Sequence, residues 1–177
     1  MTTLPDLTMR ELLEEFPGAR RAMFRHFHIG GCASCGFAPE EKLSEVCARN
    51  EGVAPEDVLA KVREAHAQDE LVLISPTEAA EAVRSGSAKL LDIRTREEHE
   101  AVKIAGAELF SQDLLQSLMS SSPKDALLIL HDHDGSRSLD AAAYFSGHGF
   151  TCVRALRGGI DAWSLEVDPS LPRYSLE

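Results

Sequence analysis

The chain has 177 residues, 44% of them hydrophobic and 27% charged, which suits one globular domain or two small ones. Its formal net charge of −11 at pH 7 excludes the surplus of Lys and Arg that nucleic acid or an anionic membrane would need in a partner. No apolar run approaches the ~18–20 residues of a membrane span, and MTTLPDLTMRELL lacks the charged-then-apolar order of an export signal, so the expected location is the cytoplasm.

Thr8 and Glu11 form an S/T-x-x-E capping box, in which two side chains satisfy orphan N–H groups at a helix start. Leu12, Leu13 and Phe16, then Ala19, Met23, Phe24 and Phe27, continue at helical spacing, interrupted at Pro17-Gly18. A glycine-flanked turn, Gly30 to Gly36, carries Cys32 and Cys35. A second helix is predicted from Pro39 to about Asn50, with Leu43, Val46 and Cys47 facing inward and Gly52 breaking it. Pro55-Glu56-Asp57 opens a third, carrying Val58, Leu59, Val62 and Ala65. Residues 1–68 therefore read as a small all-α module, near the lower size limit for an independent core. Ala67-Gln68-Asp69-Glu70 is the expected hinge to a second module, residues 71–177.

From residue 71 the rhythm changes. Short apolar runs (Leu90 to Ile93, Ala126 to Leu130, Cys152 to Leu156) alternate with amphipathic stretches. The stretches are Pro76 to Arg84, Arg96 to Ala101, Gln112 to Met119, Arg137 to His148 and Ile160 to Ser164. Buried parallel strands look like the short runs, because helices cover both faces of their sheet. The expected fold is α/β, a central parallel sheet flanked by helices.

Several pieces in order carry a resemblance. Leu90-Leu91-Asp92-Ile93-Arg94 precedes Glu97-Glu98-His99; Ile104-Ala105-Gly106-Ala107 follows; Arg137-Ser138 opens an alanine-rich helix that ends near Gly149-Phe150; and Leu156-Arg157-Gly158-Gly159-Ile160-Asp161-Ala162-Trp163 closes the series. Residues 71–177 resemble the rhodanese-like family in these motifs. The resemblance implies a Cys-x-x-Gly-x-Arg loop between a strand and a helix, whose inward N–H groups stabilise a thiolate and then a persulfide. Here the loop reads Asp132-His133-Asp134-Gly135-Ser136-Arg137, and Val102-Lys103-Ile104 replaces the family's Gly-His-Ile. Gly135 and Arg137 fit the frame, but Asp132 occupies the cysteine slot, and a carboxylate accepts no sulfane sulfur. The expected loop is a catalytically silent one that repels thiosulfate-like anions.

The same residues admit two other readings. Asp132-x-Asp134-Gly-Ser after an apolar strand resembles the opening of haloacid dehalogenase phosphatases, although only about 40 residues follow Ser136 for that family's remaining motifs. His131, Asp132, His133 and Asp134 are also a candidate divalent-metal cluster. The bland alternative is a solvated polar loop.

Cys32-Ala-Ser-Cys35 is the second centre of chemistry, since a C-x-x-C turn fits a reversible disulfide. Leu7 to about Leu59 resembles a small helical domain associated with hybrid-cluster proteins, which implies a redox disulfide. A dithiol or persulfide carrier competes with iron–sulfur ligation by Cys32, Cys35 and Cys47, or by two thiolates from each chain of a homodimer. Zinc ligation by His26, His28, Cys32 and Cys35 packs four ligands more tightly than usual; capping or surface roles for the histidines are the plainer reading. Cys47 and Cys152 are expected in the core. The combined expectation is a two-module protein with sulfur or redox handling at Cys32 and Cys35 and an unknown sulfur- or redox-handling protein as partner. One alternative makes it an iron–sulfur protein; another makes it a sulfurtransferase using Cys32 or Cys35 as persulfide carrier.

Overall fold

The computed structural model describes residues 6–30, 36–50 and 52–174. The chain divides into two compact units, Met1–Leu71 and Val72–Glu177.

The first unit is helical. α1 (Met9–Glu15) begins at the expected capping box, with the Thr8 side chain accepting from the Glu11 N–H and the Glu11 carboxylate accepting from the Thr8 N–H. Pro17-Gly18 separates it from α2 (Ala19–Phe27), which ends on His28 in the left-handed region. α3 is shorter than expected, Leu43–Arg49, because residues 39–42 form a turn in which Met9 N–H donates to Glu41 C=O and Arg10 N–H to Pro39 C=O. Met9, Leu12, Met23, Ile29, Val46, Cys47 and Val58 are fully buried in one core. α4 (Pro55–Val72) includes the residues expected to form the hinge. No glycine or proline interrupts residues 67–70, and Asp69 is tied to Arg21 by a 2.5 Å ion pair.

The second unit is built on a five-stranded parallel sheet in the order β1-β5-β4-β2-β3: β1 (Leu73–Ile74), β2 (Ala88–Asp92), β3 (Ala107–Leu109), β4 (Leu127–His131) and β5 (Val153–Leu156). Between and after them run α5 (Pro76–Arg84), α6 (Arg96–Ala101), α7 (Gln112–Ser121), α8 (Ser136–Gly147) and α9 (Gly159–Glu166). Side chains alternate across the sheet as the pleat requires. Leu90, Ile129 and Leu156 join Ala79, Ala80, Ile160 and Trp163 in one core, while Leu91, Leu128, Leu130 and Ala155 join Leu118, Ala142 and Phe145 in the other. β1 and β3, two and three residues long, were too short to register as apolar runs. Cys152 lies one residue before β5 and is half-buried rather than in the core. Among the described residues no helix is long and apolar enough to cross a membrane.

Candidate functional site

Neighbouring strands β2 and β4 end side by side, with Asp92 opposite His131. β2 continues toward β3 on one side and β4 toward β5 on the other, so the chain leaves a crevice at the carboxyl ends of these two strands. The loop from Asp132 to Gly135 fills this place and leads into α8.

Asp132 is 2% exposed, the opposite of a solvated loop residue. Its Oδ1 accepts from the Gly135 N–H and its Oδ2 from the Arg137 N–H, both at 2.9 Å. The carboxylate thus caps the first turn of α8, where free N–H groups and the helix dipole favour an anion. Burial pushes its carboxyl above the ordinary range; the Arg137 N–H opposes this, and the charge of Asp134 adds to it. The cradle is not empty. The loop's own carboxylate already occupies it.

One glycine at the start of α9 and one in the loop explain how the loop is held. Ile160 N–H donates to Asp132 C=O at 3.0 Å and Asp161 N–H to His133 C=O at 3.1 Å, so the start of α9 grips the loop's carbonyls. A Cβ on Gly159 would lie 2.4 Å from the His133 oxygen, and one on Gly135 would lie 2.9 Å from the Gly158 nitrogen. Both glycines also have positive φ, 58° and 89°, so the approach requires residues without side chains.

Beneath the loop lies a buried ionic cluster that composition alone did not reveal. Asp92 accepts from Arg94 Nε at 2.9 Å, from Arg94 Nη2 at 2.5 Å and lies 2.8 Å from His99 Nδ1. Burial acts to raise the Asp92 carboxyl, but Arg94, His131 and His99 outweigh it and hold it below its usual value. Arg94 reaches Val102 C=O and the Tyr174 hydroxyl, which in turn donates to Glu98. The Tyr174 ring sits 4.5 Å from that of His133. His131 is fully buried, and burial drives its pKa down to about 4 despite the nearby Asp92 charge. Its Nδ1 lies 3.3 Å from Asp132 C=O, while Nε2 lies 3.7 Å from Asp92 with no hydrogen bond.

The remaining expected residues separate. Asp134 is exposed and accepts from the Ser136 N–H and hydroxyl at 2.9 and 2.7 Å, a local turn. The phosphatase reading needs Asp132 as an accessible nucleophile, and both of its oxygens are engaged out of solvent. The cluster of His131, Asp132, His133 and Asp134 does not converge on a metal; among the described residues no group of three His, Cys, Asp or Glu side chains is arranged to hold one. Cys32 and Cys35 lie outside the described residues. Cys47 is sealed in the helical core, and its thiol is pushed up to about 11, chiefly by burial and then by the charges of Asp6 and Glu56. His26 and His28 are exposed, His28 as the cap of α2. Tyr174 went unread in the sequence because nothing local links it to residues 76 and 80 positions earlier.

A rhodanese-like domain family model matches residues 75–166. The chain is 36% identical over 90 residues to a thiosulfate sulfurtransferase GlpE of Ectopseudomonas mendocina, covering 51% of this chain and 82% of that protein. It is 39% identical over 75 residues to a sulfurtransferase of Allochromatium vinosum, covering 42% and 70%. Among solved structures, reduced CoADR-RHD of Bacillus anthracis superposes with a TM-score of 0.50 at 19% identity, covering 76% of this chain and 22% of that one, a likeness of fold.

Proposed function

Since the chain belongs to the rhodanese-like domain family, we propose that it is a sulfurtransferase-family protein whose rhodanese loop carries no sulfur, with sulfur or redox handling placed at Cys32 and Cys35. The observation that carries the first half is Asp132. In thiosulfate chemistry a thiolate attacks the sulfane sulfur, a persulfide S–S bond forms and sulfite leaves. Asp132 brings a carboxylate to that position, and both of its oxygens already accept backbone N–H bonds. The domain then serves as a folded scaffold whose loop is capped from within.

The second half rests on the sequence. Cys32 and Cys35 make up the C-x-x-C motif, while Cys47 is buried and Cys152 is half-buried in the second unit. A dithiol there exchanges with a disulfide or persulfide supplied by a partner protein of the sulfur- or redox-handling class, and the reducing cytoplasm suits that chemistry.

Three measurements on the full chain test this. Thiosulfate:cyanide sulfurtransferase activity of the native protein should stay at background, and Asp132→Cys should raise it by restoring a thiol against the Gly135 and Arg137 N–H groups. Mild oxidation should remove two titratable thiols, and Cys32→Ser or Cys35→Ser should abolish that loss. Native transferase activity that survives loss of both cysteines would overturn the silent loop. Four free thiols after oxidation would overturn the dithiol, and bound iron with acid-labile sulfide would replace it with a cluster.

A further inference from the structure

A cleft lies beside the filled cradle. It measures about 440 Å³ and opens between α7 and α8 at the carboxyl end of the sheet. Ile93 enters it just after β2, Phe110 just after β3, Leu115 from α7, and Arg137, Tyr144 and Phe145 from α8. It therefore lies past the carboxyl ends of β2 and β3, beside the crevice that the Asp132 loop fills.

We infer that this cleft binds an organic monocarboxylate with a compact aryl or branched aliphatic body, its carboxylate on Arg137. This goes beyond the role of Asp132 and is independent of Cys32 and Cys35. The volume falls within the ~300–1,000 Å³ typical of small-molecule sites, and Ile93, Phe110, Leu115, Tyr144 and Phe145 give it the apolar and aromatic wall such sites require. Tyr144 stands 46% exposed at the cleft, a large aromatic face left facing water. The Arg137 side chain is exposed and has no hydrogen-bond or ion-pair partner among the described residues. Its planar fork matches a single carboxylate through two parallel N–H donors.

Charge limits the ligand to one negative group. Asp140 lines the same cleft, Asp134 stands in the adjoining loop, and the Asp132 carboxylate is buried behind it. With Asp134 and Asp132 close by, one guanidinium accommodates a monoanion and opposes a second charge, so phosphate or sulfate dianions are disfavoured. Small inorganic anions also gain nothing from the apolar walls, and the N–H groups that would hold them are already taken by Asp132.

The probes are 3-phenylpropionate, its neutral amide and phenyl phosphate, titrated into the full chain by saturation-transfer NMR and thermal shift. The acid should bind saturably, with the amide roughly tenfold weaker, the scale of one charge-assisted pair. Phenyl phosphate should bind less well than the acid. Arg137→Gln, at an exposed side chain, should erase the preference for acid over amide while leaving weak binding of both. Equal binding of acid and amide to the native chain would overturn the inference, as would no saturation by roughly 10 mM. So would tighter binding of the dianion, or an acid preference that survives Arg137→Gln.

Discussion

The Arg137 N–H donates to Asp132 Oδ2 at 2.9 Å, and with the Gly135 N–H on the other oxygen this makes Asp132 a tethered anion inside its own loop. Removing one acceptor should therefore be costly. Asp132→Asn turns an oxygen into an NH₂ group facing a backbone N–H, and should cost about 1–3 kcal/mol, the penalty for an unsatisfied buried group. Asp132→Ala leaves both N–H groups open, and formate at roughly tens of millimolar should restore part of the lost stability by occupying the cradle. Urea unfolding followed by the fluorescence of the single tryptophan, Trp163, reads both effects. Identical unfolding midpoints for Asn and Asp would remove the capping role.

His131 should make the second unit acid-sensitive. The unfolded side chain takes up a proton near its ordinary value of 6.5, while the folded one remains neutral down to about 4. Between those limits the unfolded state binds more protons, so stability is complete above pH 6.5 and falls as pH drops toward 4. The loss amounts to roughly 3 kcal/mol by linkage. His131→Phe should flatten the profile across this window. Asp92 acts separately: its depressed carboxyl contributes stability above its unfolded value of 3.8 that is lost as pH falls through the lower folded value. Unfolding midpoints from pH 4 to 7.5 would show a slope in the native chain and little in the variant; parallel slopes would refute the assignment to His131.

Breaking the Asp92–Arg94 pair from one side should be severe. Both side chains have 0% exposure, so Arg94→Met takes the guanidinium from a buried carboxylate and leaves it the backbone N–H of residue 94, His99 and His131. The expected cost is about 3–5 kcal/mol. Tyr174→Phe removes only the hydroxyl between Arg94 and Glu98 and should cost about 1 kcal/mol. Comparable losses for the two variants would contradict the ranking.

Cys47 should be inert in the folded protein. With no exposure and a thiol raised to about 11, it offers almost no thiolate at pH 8. An aromatic disulfide reagent should label it at least roughly a hundredfold more slowly than in denaturant, where all four cysteines react. Mass mapping of labelled peptides distinguishes it from Cys152. Rapid native labelling of Cys47 would show that the helical core opens readily, and would return it to consideration as a ligand.

Local chemistry determined much of this protein. The apolar runs around Leu90, Leu128 and Val153 announced three strands, and Thr8 with Glu11 and Pro17-Gly18 set the first helix boundaries, because period, capping and backbone breaking act over a few residues. The order of motifs from Asp92 to Trp163 carried the family, and the absence of cysteine at position 132 was plain from the chain itself. Tertiary structure alone decided what Asp132 does. Gly159, more than twenty residues later, lets α9 close against the loop carbonyls at a distance that a Cβ there would prevent. The pairing of β2 with β4 likewise put Asp92 beside His131 across 39 positions, and the joint ends of β2, β3 and α8 made the cleft at Arg137. Whether a carboxylate repels an anion or replaces one depends on which N–H groups face it, and that is a property of distant chain segments brought together.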